Sequence, residues 1–168
     1  MSKIILITSG QRSGKSEKAE ALALSLSANP VYMATAHVWD DEFYQRVKRH
    51  QERRGPQWTN IEEEIQLSRH DLSGRVAVID CVTLWLTNFL YLNNDVDEAL
   101  AAAKQEFDRF AKQNATLIFV TNEIGSGGTS ENAAQRTFTD LQGWMNQYIA
   151  QRADEVYFMV SGIEMKIK

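Results

Sequence analysis

The sequence predicts an α/β fold, a mostly parallel central sheet flanked by helices, and three observations predict it. Five short Val- and Ile-rich apolar runs are spaced along the 168 residues. Helix-forming stretches without internal proline separate them, and a glycine-bearing loop joins the first run to the first helix. Apolar residues make up 43% and charged residues 24% of the chain, with nine glycines and two prolines. That is the composition of an ordinary globular protein, away from the disordered and fibrous classes. The length is that of a single domain, expected over residues 1–168.

The elements follow in order. Lys3–Thr8 reads as the first strand, because its Ile-Ile-Leu-Ile run has no polar face and suits a strand covered on both sides. Ser16–Leu26 is the first helix and Val31–Ala34 the second strand. Asp41–Arg54 is the second helix, a run of helix formers with no internal proline. Trp58–Glu62 reads as a short strand and Glu63–Arg69 as a helical turn. Val76–Asp80 is the next strand and Val82–Leu92 the next helix, where Trp85, Phe89 and Tyr91 read as core or interface packing beside a small buried Cys81. Asp95–Lys112 is the plainest helix, with acids at its start, an alanine-rich middle and a lysine at its end. Leu117–Thr121, the helix Ala133–Arg152 and the strand Val156–Val160 complete the alternation.

Several classes are excluded. The longest uncharged stretch, Cys81–Asn94, stops being apolar at Leu92, short of the ~18–20 residues that cross a bilayer. Four apolar residues near the start, Ile4–Ile7, are too few for a signal-peptide core, and one cysteine forms no internal disulfide. A cytoplasmic protein is expected. The net charge of −4 weighs against nucleic acid as a partner.

Ser9, Gly10, Gln11, Arg12, Ser13, Gly14, Lys15 and Ser16 lie between the first strand and the first helix, the context of a Walker A phosphate loop. Glycine lets backbone N–H groups turn inward on an anion, and the helix N-terminus adds partial positive charge. Lys15 is expected to reach the β- and γ-phosphates and Ser16 to ligate Mg²⁺. Ser9 stands where the pattern asks for a first glycine. The metal needs an acid at a strand end: Asp80 is the first candidate and Glu123 the second, since ligand sites in parallel sheets gather at carboxyl ends of strands. Either acid also reads as a solvated strand-end carboxylate or a helix cap.

From Arg46 to Arg54 five cations face one acid, Glu52. Glu42, Arg46, His50 and Arg54 recur every four residues, so one helical stripe sets the imidazole between two guanidiniums. An imidazole so placed suits attack on phosphorus, and the arginines suit phosphate oxygens. The same residues also read as a solvated helix with a passive histidine. His37 and His70 have no metal-ligand spacing and read as loop or surface histidines.

Further motifs join these: Tyr32-Met33-Ala34-Thr35-Ala36, Asp41-Glu42 ahead of Arg46 and His50, Trp58 with Glu62, Val120-Thr121-Asn122-Glu123-Ile124-Gly125, Glu131-Asn132 with Arg136 and Phe138, and the tail from Ser161-Gly162-Ile163 to Ile167-Lys168. Together they resemble the bifunctional adenosylcobinamide kinase / adenosylcobinamide-phosphate guanylyltransferase family over nearly the whole chain. The resemblance implies a P-loop NTPase-like fold, a homotrimer and two reactions. ATP or GTP phosphorylates adenosylcobinamide; GTP then gives GMP to a histidine, which passes it to adenosylcobinamide phosphate. By motif position the histidine is His50. The implied nucleotide contacts are residues 9–16, Ala34, Thr35, Ala36, Gln51, Glu52, Arg53, Arg54, Glu62 and Asp80, with Lys15 and Arg46 joining His50 in catalysis and Ser16 and Asp80 on Mg²⁺. Asp80 stands where this family often has glutamate, Arg49 where a second histidine can stand, and Ser130 where proline is expected. A single-activity P-loop small-molecule kinase would use Lys15 and Ser16 and leave His50 idle. A non-catalytic nucleotide-binding module would switch through the Gly125-Ser126-Gly127-Gly128 loop.

Overall fold

In a computed structural model describing residues 1–168, seven strands form one sheet in the order β3-β2-β4-β5-β1-β6-β7. The strands are β1 (Lys3–Ser9), β2 (Val31–Ala34), β3 (Thr59–Glu62), β4 (Val76–Asp80), β5 (Thr116–Asn122), β6 (Glu155–Val160) and β7 (Ile163–Lys166). Every pairing is parallel except β6 with β7. The helices are α1 (Lys15–Leu26), α2 (Asp41–Arg54), α3 (Val82–Asn93), α4 (Val96–Ala111) and α5 (Ala133–Arg152).

Uninterrupted apolar strands are apolar because both faces are covered. Ile4 and Leu6 of β1 and Leu117 and Phe119 of β5 join the larger core with α3, α4 and α5. The alternate residues Ile5, Ile7, Ile118 and Val120 join a second core against Ala19 and Ala23 of α1. Asp95 lies just outside α4 as its cap, accepting from the Asp97 and Glu98 N–H groups at 3.3 Å each.

Three expectations need correction. The segment Glu63–Arg69 is helical only at Leu67–Arg69, a 3₁₀ turn, because the Leu67 N–H donates to the Ile65 carbonyl two residues back at 3.2 Å rather than to the carbonyl four back that an α-helix uses. The chain gains β7, which the strand list ending at Val160 lacks. Ser161 and Gly162 both take positive φ, 50° and 80°, the two-residue turn that suits a hairpin. Tyr91 is 73% exposed and is no part of the core that holds Trp85 and Phe89.

Candidate active site

The phosphate loop leaves β1 and enters α1 through Gly14, whose φ of +94° lies in the region that favours glycine. There is a second demand for glycine here: a Cβ on Gly14 would sit 3.1 Å from Gly162 Cα. The Lys15 ammonium is buried and donates to the Gly10 carbonyl at 2.5 Å. Burial lowers its pKa, with the charge of Asp80 opposing.

Asp80 ends β4, which β5 separates from β1, and its carboxylate reaches the first turn of α1. Its Oδ2 accepts the Ser16 hydroxyl at 3.0 Å and the Tyr32 hydroxyl at 2.5 Å. Burial pushes the Tyr32 phenol up, and the Asp80 charge adds to the shift. The Ser16 hydroxyl and the Asp80 carboxylate are hard oxygen donors, the kind Mg²⁺ takes while keeping room for phosphate oxygens and water. No cluster of three or more His, Cys, Asp or Glu offers a separate metal site.

Helix α2 is almost entirely exposed; Arg54 is its one buried residue. The guanidinium lies 3.4 Å over the Tyr32 ring, donates to Asn60 Oδ1 at 3.0 and 3.3 Å, and stands 3.8 Å from Glu20. Burial lowers the Arg54 pKa and raises that of Glu20. This anchor fixes the C-terminal end of α2 over the sheet, while Asp40 caps the other end by accepting the Phe43 N–H at 2.7 Å.

A cleft of about 480 Å³ results, at the carboxyl ends of β1, β2 and β4. Arg12, Ser13, Gly14, Lys15, Ser16 and Asp80 line one side; Arg46, His50, Arg53 and Arg54 line the other, with Ala34 and Ala36 between them. Of the stripe expected on α2, Arg46, His50 and Arg54 line the cleft with the phosphate loop, and Glu42 lies outside it.

Other expected site residues do not line this cleft. The Ser9 hydroxyl is buried and donates to the Met159 carbonyl. Gly10 and Gln11 are exposed at the loop's crest. Thr35 is fully buried, its hydroxyl donating to the Cys81 carbonyl at 2.7 Å and accepting the Cys81 N–H at 2.9 Å. Gln51 donates to Glu62 at 3.3 Å, and Glu52 is exposed. Glu123 accepts from Thr8 at 2.9 Å, beside the loop's base. Sequence reasoning missed Glu20 and Asn60 and gave Tyr32 no role beyond its place in a motif; these are the residues that hold Arg54 and Asp80.

A phosphate loop on a parallel sheet, a strand-end acid beside its serine and a cationic helix across the cleft define a P-loop enzyme of the phosphotransferase class. The family described as cobinamide kinase / cobinamide phosphate guanyltransferase matches residues 5–167, and the chain belongs to it. It is 36% identical over 167 residues to the bifunctional adenosylcobalamin biosynthesis protein CobP of Pseudomonas aeruginosa, covering 97% of this chain and 96% of that one. It is 35% identical over 181 residues to the bifunctional adenosylcobalamin biosynthesis protein CobU of Escherichia coli, covering 98% and 99%. Among solved structures it is similar to the flagellar accessory protein FlaH of Methanocaldococcus jannaschii at TM-score 0.47 and 14% identity, over 99% of this chain and 78% of that one. No helix is long and apolar enough to cross a membrane.

Proposed function

We propose that the chain acts as one domain over residues 1–168, phosphorylating adenosylcobinamide with ATP or GTP and then transferring GMP from GTP, through a covalent bond to His50, onto adenosylcobinamide phosphate. The observation that carries this is the shared cleft: His50 stands opposite Lys15 and Ser16 rather than on a remote face. In the kinase step the substrate hydroxyl attacks the γ-phosphorus and the nucleoside diphosphate leaves. Lys15 would exchange its bond to Gly10 for β- and γ-phosphate oxygens, and the loop N–H groups would hold the rest. In the second reaction an imidazole nitrogen attacks the α-phosphorus of GTP, forming an N–P bond as the bond to pyrophosphate breaks. An oxygen of adenosylcobinamide phosphate then displaces the histidine, giving adenosylcobinamide-GDP.

Arg46 and Arg54 are assigned to the charge that grows on the α-phosphate oxygens, Arg54 already fixed by Tyr32 and Asn60 and so arranged before the reaction. Ser16 and Asp80 would hold Mg²⁺, which supplies charge neutralisation to the phosphates. The nucleotide is assigned to residues 9–16, Ala34, Thr35 and Ala36, with Gln51, Glu52, Arg53, Arg54, Glu62 and Asp80; the hydroxyls of Ser9 and Thr35 are committed within the protein, so these two would shape the site rather than bond the nucleotide through their side chains. The assembly is assigned as a homotrimer, checked by sedimentation.

The test is incubation with Mg²⁺ and GTP labelled at the α- or the γ-phosphate. The expected outcome is an acid-labile protein-bound α-label, absent in His50→Ala and in Lys15→Ala. γ-Phosphate transfer to adenosylcobinamide with no protein-bound α-label would replace this reading with that of a single-activity kinase.

A further inference from the structure

Beyond the cleft, three aromatic rings stand in solvent in contact with one another. His37 packs edge-to-face on Trp39 at 4.5 Å between centroids, and Trp39 on Tyr91 at 5.9 Å. Trp39 is 61% and Tyr91 73% exposed. Isolated exposed aromatics are ordinary; a contiguous, ordered group of them marks a recognition surface.

The loop that carries two of the rings is tied down. Glu64 contacts His37 Nδ1 at 2.8 Å. Asn88 on α3 donates to the Thr35 carbonyl at 2.7 Å and to the Glu64 carbonyl at 3.0 Å, so the loop carrying His37 and Trp39 is tied to the helix carrying Tyr91. The group is also continuous with the cleft by two routes. Ala36, on the cleft wall, is three residues from Trp39, at most ~10 Å of chain. Leu84, also on the cleft wall and 40% exposed, lies two helical turns from Tyr91 on the same side of α3, again ~10 Å.

Resting on the function proposed above, we infer that His37, Trp39 and Tyr91 are the platform on which the corrin ring of the substrate docks, with Leu84 on the path its hydroxyl arm takes to the phosphate loop. A corrin is a broad conjugated macrocycle with an apolar, methylated rim; the rings meet at 74° and 70°, so they offer it a ring face flanked by ring edges rather than one flat floor. With cobalt it is cationic, and the exposed Glu64 carboxylate contacts His37, while Asp40 and Asp41 follow Trp39 directly in the chain. A nucleotide would fill the basic cleft and leave this surface free; a large ring would fill the surface and send only its arm inward.

The experiment is steady-state kinetics of the parent, Trp39→Ala, Tyr91→Ala and the double variant, with adenosylcobinamide and GTP each varied. The expected result is a rise in KM for adenosylcobinamide of about ten-fold in the double variant, the loss of two aromatic contacts. The KM for GTP and the protein-bound α-label should stay at the parent's values, and Trp39→Phe should recover most of the loss. A corrinoid KM within two-fold of the parent's would overturn the platform while leaving the family reaction intact. An unchanged KM with a changed sedimentation coefficient would assign the rings to a second copy of the chain and overturn it equally. A parent that takes α-label but does not bind adenosylcobinamide would overturn the proposed substrate, and the platform with it.

Discussion

Asp80 and Arg54 come from different elements, and Tyr32 joins them. Its hydroxyl donates to Asp80 at 2.5 Å, its face carries the Arg54 guanidinium at 3.4 Å, and its edge meets Trp58 at 6.0 Å. Because burial raises the phenol's pKa, the hydroxyl stays a donor across the whole range in which the protein works. Tyr32→Phe keeps the ring under Arg54 and removes only the bond to Asp80. The carboxylate is half-buried and keeps Ser16, so the expected cost is about 1 kcal/mol, or a Tm lower by ~2–4 °C, with a weaker response to Mg²⁺ in GTP binding. Calorimetry and titration would check both; parental values in each would mean that Ser16 alone positions Asp80. That Lys15, Asp80 and His50 line one cleft could be expected from a loop motif, a strand end and a helical stripe, each of which is set by local spacing. The part Tyr32 plays was not legible, since a tyrosine in an apolar strand looks like core until its partners are known.

At the scale of elements, boundaries were legible where local chemistry sets them. Asp40 caps α2 and Asp95 caps α4, and charge pairs with the dipole at both ends of α2. The hairpin β6–β7 was readable in principle: Ile163, Met165 and Ile167 alternate with Glu164, Lys166 and Lys168, after a Ser-Gly turn. Its charged side chains are already paired. Glu155 of β6 is held by Lys3 at 2.8 Å and Lys166 at 3.0 Å, which together with the Tyr157 hydroxyl keep its carboxyl down at about 2. A depressed acid stabilises the fold above its unfolded pKa, and that stability is lost as pH falls through the folded value. The contribution is therefore full above pH ~4.5 and gone near pH 2. Glu155→Gln should lower Tm at pH 6 by the amount of a pair of surface bridges, under about 1 kcal/mol, and the two proteins should converge toward pH 2. A gap that persists unchanged to pH 2 would trace the loss to packing instead of charge.

In the whole molecule, the two ends of the chain meet at the phosphate loop. Ser9 donates to the Met159 carbonyl, the Gly162 N–H donates to the Ser13 carbonyl at 2.9 Å, and Lys18 in the first turn of α1 pairs with Glu164 of β7. The loop that was legible as a motif is thus held by the last residues of the chain, and that contact was not legible. Strand order and such distant pairings are decided by packing of the full sheet, not by local pattern. GTP at about 100 times its Kd should stabilise the parent by ~2.7 kcal/mol, a Tm rise of ~5–10 °C, and Lys15→Ala should lose that rise. Gly162→Ala separates direct contact from support. A methyl there meets nothing within 4 Å, yet φ of +80° disfavours alanine by about 1 kcal/mol, so the turn loosens without a clash. Its Tm should fall without nucleotide, and its rise at the same GTP concentration should be smaller than the parent's, because the loop it steadies binds GTP more weakly. A lower starting Tm with a full parental rise would show that the phosphate loop keeps its shape without the hairpin.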